Sequence, residues 1–122
     1  VIVEDNELNM KLFRDLLTNS NYEVYGINDG IIAYDYIKKV KPNLILMDIQ
    51  LQRISGYDII SKIKKNICLS QIPIVAVSAF AMKDDQERIM ASGCDAYLSK
   101  PISIKIFMDL VNKYVANISE DA

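Results

Sequence analysis

Five polar residues stand at matching places in this chain: Glu4 and Asp5 after the apolar run VIV, Asp48 after LILM, Ser78 after IVAV and Lys100 after AYLS. A carboxylate at the end of a buried apolar run, as in NLILMDIQ, is costly unless something uses it. Three carboxylates gathered together raise one another's pKa unless a cation lies among them. Hard oxygen ligands suit Mg2+, which takes one or two carboxylates, keeps several waters and completes its shell with phosphate. A hydroxyl and an ammonium are the donors a phosphoryl group needs. A carboxylate can accept such a group as an aspartyl phosphate. The set therefore points to Asp48 as a phosphoryl acceptor beside a magnesium site, with Ser78 and Lys100 as phosphoryl contacts.

Singly, each residue has a plainer reading. Glu4 and Asp5 would serve as caps of the first helix, and Lys100 as an exposed loop lysine. The joint placement, one polar group at each of four strand ends, is what argues for chemistry, and it depends on the elements between them.

Short apolar runs alternate with longer amphipathic ones. Strands are expected at 1–3, 23–27, 44–47, 74–77 and 96–99. Leu8, Leu12, Phe13, Leu16 and Leu17 recur at helical spacing from Asn6 to about Ser20. Asp29-Gly30 leads into a helix carrying Ala33, Ile37 and Val40 inward, which stops before Pro42. After Ser55-Gly56 a third helix turns Ile59, Ile60 and Ile63 inward and Lys62, Lys64 and Lys65 outward. Asp84 with Glu87 predicts the start of a fourth helix and Gly93 its stop. A fifth, from about Ser103, carries Ile106, Phe107, Leu110, Val111 and Tyr114.

Five βα units of this kind predict an α/β domain, a five-stranded parallel sheet doubly wound with five helices by right-handed crossovers. The natural strand order is 2-1-3-4-5, with ligands held outside the carboxyl ends of the strands at the switch point between strands one and three. Glu4, Asp5 and Asp48 would then share one cleft.

Composition excludes several other functions. The 122 residues suit one domain, set here at 1–118 with a C-terminal tail at 119–122, and 51% are apolar. A net charge of −2 gives no field that would draw the chain to nucleic acid. No apolar run approaches the roughly 18 residues of a membrane span. Cys68 and Cys94 match no metal spacing and fit two thiols in a reducing cytoplasm. There is no histidine, which removes Ser-His and Cys-His nucleophile pairs and means that this chain cannot itself carry a phosphohistidine.

Over its whole length the chain resembles the receiver domains of bacterial two-component response regulators. The motifs are the acidic pair in VEDN, LILMDIQ, VAVSAFA and AYLSKP. The segments VEDNELNMKLF, SAFAMKDDQERI and GCDAYLSKPIS are most like single-domain regulators of bacterial cell division and the cell cycle. The resemblance implies a flavodoxin-like, CheY-like fold and phosphorylation of Asp48 by a histidine kinase or a phosphotransfer protein. It implies Mg2+ bound by Asp5, Asp48 and the backbone carbonyl of Gln50, with Glu4 acting through water. Ser78 and Lys100 would contact the phosphoryl oxygens, and Lys100-Pro101 would be a cis peptide. Tyr97 would be the switch aromatic, turning inward as Ser78 moves; its plain reading is a strand residue packed on the last helix. Output would pass to protein partners through the fourth helix, fifth strand and fifth helix, from a monomer or weak dimer. Gln52 departs from the proline common in this loop, which puts the loop's rigidity in question.

Phe80 and Met82, in the apolar stretch AFAM, either help form a partner patch or tuck into the core, at even odds. The chain starts at Val1 without a Met, so upstream residues are expected, and trimming from a longer regulator stays open, though a stand-alone protein is favoured. A phosphatase with an aspartate nucleophile is disfavoured because its second acid would fall at Gln50, which cannot donate a proton as an acid. Phosphate monoesters separate the two readings: a receiver takes stoichiometric label, whereas sustained release of inorganic phosphate would mark an enzyme.

Overall fold

The computed structural model describes residues 1–79 and 82–121, with side chains for 1–79 and 82–115. The elements run β1 (Ile2–Val3), α1 (Glu7–Asn19), β2 (Gly26–Ile27), α2 (Gly30–Val40), β3 (Ile45–Asp48), α3 (Gly56–Lys65), β4 (Ile74–Ser78), α4 (Lys83–Ala91), β5 (Ala96–Ser99) and α5 (Ile104–Asp121). All strand pairs are parallel, and the order is β2-β1-β3-β4-β5, as expected. The register sets Val3 against Met47, Asp48 against Val77 and Ser78 against Ser99, so the carboxyl ends of β1, β3, β4 and β5 finish close to one level.

Local chemistry starts three of the helices. Asn6 accepts from the Asn9 N–H at 3.0 Å, Asp29 from that of Ile31 at 2.9 Å and Ser55 from that of Tyr57 at 3.1 Å, each satisfying a donor that the first turn leaves unpaired. Helix α1 is thus capped by Asn6, and Glu4 and Asp5 are left for other use. Helix α4 corrects the expectation built on Asp84. It begins at Lys83 after Met82, with no side-chain cap, so Asp84 lies inside the first turn, where its charge complements the helix dipole. Gly93, at φ +105°, follows its end in a conformation that other residues rarely adopt.

The sheet separates two packed layers. Alternate strand residues Ile2, Leu46, Val75, Val77 and Leu98 meet Phe13 and Leu17 of α1 and Phe107 and Val111 of α5, and the Phe13 and Phe107 rings stack with centroids 5.1 Å apart. On the other face Val3, Ile45, Met47, Ile74 and Ala76 meet Ala33 and Ile37 of α2, Ile59, Ile60 and Ile63 of α3, and Ile89 of α4.

Four sequence expectations need correction. Strand β2 covers Gly26–Ile27 rather than 23–27, because a strand persists only where a neighbour pairs with it and β1 offers two residues. Leu8 is 80% and Ile106 54% exposed, so neither joins the core. Lys64 is half-buried, not outward: its ammonium donates to the Ser70 carbonyl at 3.2 Å and lies 3.7 Å from an Asp95 oxygen.

Helix α3 comes so near the end of β3 that a Cβ on Gly56 would stand 2.4 Å from the Asp48 carbonyl oxygen and 2.7 Å from the Ile49 Cα. Backbone on that side cannot yield as a side chain does. Gly56→Ala is expected to destabilise the fold by about 1–3 kcal/mol, read as a lower urea midpoint; a parent-like midpoint would show slack in the connection.

Candidate functional site

Strands β1 and β3 are neighbours inside the sheet, so whatever follows each is enclosed on both sides. Glu4 is 1% exposed and Asp48 3%, and Asp5 beside them is half-buried. One carboxylate oxygen from each lies within 4.8 Å of the others. Lys100, just past β5, reaches both buried acids: its ammonium donates to Glu4 Oε1 at 3.1 Å and to Asp48 Oδ2 at 3.2 Å. It is a half-buried ion-pair partner, not an exposed loop lysine, and the Lys100-Pro101 peptide is cis.

The electrostatics follow from burial. Removal from water, and then the nearby Asp48 carboxyl, push Glu4 up to about 7, while Asn9 and Lys100 pull the other way. Burial would lower Lys100, but the Asp48 and Glu4 charges outweigh it and hold the ammonium above its usual range. The second oxygen of Glu4 is buried with no hydrogen-bond partner. Such an orphan acceptor is costly in a finished core, and a hard cation would satisfy it. Three clustered carboxylates with that spare oxygen fit a divalent ion of the magnesium type.

The connection after β3 serves the site twice through its backbone. The Gln50 N–H donates to Asp48 Oδ1 at 3.0 Å, so both Asp48 oxygens are engaged. The Gln52 N–H donates to Asp5 Oδ2 at 2.9 Å, a bond that a proline there could not make. The departure at Gln52 thus ties the loop to an acid of the cluster. Sequence reasoning missed the Gln50 side chain: its Nε2 donates to Ser78 Oγ at 2.7 Å, and its Oε1 accepts from the Ala79 N–H at 3.1 Å. A glutamine two residues after a candidate acceptor was a visible signal, but its partners lie 28 and 29 residues away.

Ser78 is fully buried at the end of β4 and joins this group through Gln50. Tyr97 stands apart from the acids. It is half-buried against the α2–α4 layer, not in the α1/α5 layer that the plain reading gave it, and with Leu98, Ser99, Pro101, Ser103 and Ile106 it lines a shallow cavity. Met82 is 73% exposed, which overturns the reading that tucks it into the core. Phe80 lies outside the described residues.

Comparison with known proteins agrees with this geometry. The profile of the response regulator receiver domain matches residues 1–112. The polar-differentiation response regulator DivK of Brucella anthropi is 50% identical over 117 residues, covering 96% of this chain and 95% of that protein. The DivK of Brucella ovis matches to the same extent. Among solved structures, the receiver domain of the sensor histidine kinase PA1611 from Pseudomonas aeruginosa PAO1, with a magnesium ion coordinated in its active site cleft, is 28% identical, covers 94% of each chain and superposes with a TM-score of 0.86. The receiver domain of the Francisella response regulator 1452, 20% identical, covers 96% of this chain and 95% of its own and shares the fold with a TM-score of 0.89.

A glutamic acid raised to about 7 binds its proton more tightly in the folded chain than in the unfolded one. The stability this gives is complete below the ordinary carboxylate range near pH 4.5 and is lost as pH rises through about 7. In the presence of a chelator, Glu4→Gln should therefore be more stable than the parent at pH 8, by about 1–3 kcal/mol, and close to it at pH 4.5. Urea unfolding at both pH values measures this, and equal differences at the two would show that Glu4 bears no such strain.

Proposed function

The chain belongs to the response regulator receiver domain family, and from that premise we propose that it accepts a phosphoryl group on Asp48 from a histidine kinase or a phosphotransfer protein. The observation that carries this reading is the buried Asp48 carboxylate at the end of β3, flanked by Glu4 and Asp5 and held by the Lys100 ammonium. These 122 residues hold no histidine, so a phosphohistidine donor lies outside them.

In the transfer an Asp48 carboxylate oxygen attacks phosphorus. The P–O bond forms as the P–N bond breaks, and the electron pair returns to the partner's imidazole. The chain's own work is positioning and electrostatics. The Gln50 N–H fixes one Asp48 oxygen, and Lys100 and Ser78 supply an ammonium and a hydroxyl for the phosphoryl oxygens. Asp5, Asp48 and the Gln50 carbonyl, with Glu4 beside them, would hold Mg2+, which neutralises charge shared between the carboxylates and the incoming group. The orphaned Glu4 oxygen and the magnesium in the PA1611 receiver support that assignment.

Once phosphorylated, Asp48 no longer pairs with Lys100 as before, and the phosphoryl group brings three strong acceptor oxygens to the end of β4. We read the response as a shift of the connection after Ser78 together with Tyr97, changing the face formed by α4, β5 and α5. Met82, Met90 and Ile106 leave apolar surface there for protein partners. The DivK relatives support a role in cell-division signalling. Among the described residues no helix is long and apolar enough to cross a membrane, and we place the protein in the cytoplasm as a monomer or weak dimer.

Intact-mass spectrometry after incubation with acetyl phosphate and Mg2+ tests this. One phosphoryl adduct is expected on the parent and none on Asp48→Asn, and an unlabelled parent would sink the reading. Lys100→Ala is expected to take the label yet lose most of the label-induced change in amide exchange around residues 79 and 82; a full response would refute the switch described here.

A further inference from the structure

Helices α2 and α3 connect parallel strands, so both run back along the sheet and finish at the end opposite the acids. Their last turns carry Lys38 and Lys39, and Lys62, Lys64 and Lys65, and Lys41 caps α2. The two groups meet on one ring: the Lys38 and Lys62 ammoniums lie 5.3 and 5.9 Å from the Tyr34 centroid. Lys65 follows Lys62 by three residues, along the same helical face. Lys64 is half-buried and compensated by Asp95. Among the described residues the other five lysines are exposed and make no ion pair. No acid stands in the sequence between Asp35 and Asp48, or between Asp58 and Asp84. The carboxyl end of a helix attracts cations, which accounts for one or two lysines at each. It does not account for Ile67, which is 87% exposed. The turn that carries it is fixed: Asn66 donates to the Tyr34 hydroxyl at 3.0 Å and accepts from the Cys68 N–H at 2.9 Å, and Leu69 is buried. An apolar side chain is thus held out in water beside the lysines.

We propose that this end of the molecule, formed by Lys38, Lys41, Lys62, Lys65 and Ile67, docks on an anionic phospholipid bilayer. Each lysine near such a surface strengthens partitioning roughly fivefold. Ile67 enters the boundary between headgroups and acyl chains, the one place where an exposed apolar side chain gains from contact. The overall charge of −2 does not oppose this. Charges beyond a Debye length, about 8 Å at physiological salt, are largely screened, and Glu4, Asp5 and Asp48 stand at the other end of the strands. The residue types favour a bilayer over other polyanions. Neither helix contains arginine, whose rigid fork suits protein interfaces and phosphate backbones. Lysine ammoniums are point charges on flexible stems, which suit a fluid surface without fixed geometry. Single-stranded nucleic acid needs an open aromatic face, and two ammoniums already occupy the Tyr34 ring. Docked in this way, the molecule turns its acids away from the bilayer.

Co-sedimentation with vesicles of phosphatidylcholine, alone or mixed with phosphatidylglycerol, tests this on the unphosphorylated chain. The parent should pellet with the anionic vesicles at low salt, but not with neutral ones or in about 0.5 M salt. The triple variant Lys38→Gln, Lys62→Gln, Lys65→Gln should bind roughly a hundredfold more weakly. Ile67→Ser should bind several-fold more weakly and keep the salt dependence. A second triple variant, Lys11→Gln, Lys105→Gln, Lys113→Gln, has the same net charge and should bind like the parent. Urea midpoints close to the parent's show that each variant is folded. A parent that stays in solution with anionic vesicles at low salt would overturn the proposal. Equal losses in the two triple variants would also overturn it, because net charge and not this face would then be the cause. Parent-like binding by Ile67→Ser would overturn the insertion. Binding to duplex DNA or to polyglutamate in place of vesicles would overturn the bilayer and assign the face to a nucleic acid or an acidic protein.

Discussion

A single ammonium lets this site exist. Glu4 and Asp48 are buried carboxylates at the ends of neighbouring strands, and like charges so close call for a cation between them. Lys100 bonds to both, yet it stands at the end of β5, with β4 between it and β3. Adjacent strands lie about 4.8 Å apart, so the lysine stem, the hydrogen bond and the Asp48 side chain together bridge roughly two such spacings. Only a long side chain can do that. One electrostatic requirement therefore links the strand order to the position of the lysine.

Most of this was legible in the sequence, for a physical reason. Strands buried on both faces are near-continuous apolar runs, so their ends are marked where the apolar residues stop, and polar groups at those ends stand out. The alternation of elements gives the parallel order, which brings Glu4, Asp5 and Asp48 together. Helical faces were less legible. The buried line of α1 runs through Phe13 and Leu17, and Leu8, five residues before Phe13, is rotated about 140° from it. Ile106 is about 100° from its neighbour Phe107 on a helix, and equally misplaced. Apolar spacing proposed both residues, and the actual axis of contact rejects them.

Contacts between distant connections left no trace in local pattern. The Gln50 side chain meets a loop 28 residues on, and no periodicity encodes that. The extent of β2 belongs to the same class, because it depends on how much of β1 lies alongside. Gln52 is a further case: a missing proline reads as lost rigidity in the sequence, whereas in the structure the freed N–H becomes a tether to Asp5.

The sheet stands between the two packed layers, and the acids lie at the carboxyl ends of its inner strands. The α1/α5 layer is organised around stacked Phe13 and Phe107, whereas Ala33, Ile37, Ile59, Ile63 and Ile89 fill the opposite layer. In evolutionary terms the molecule has two separately editable surfaces around one fixed cluster of acids. A substitution on the α4 side need not disturb the layer built on Phe13 and Phe107, so one surface can change while the cluster of acids keeps its form.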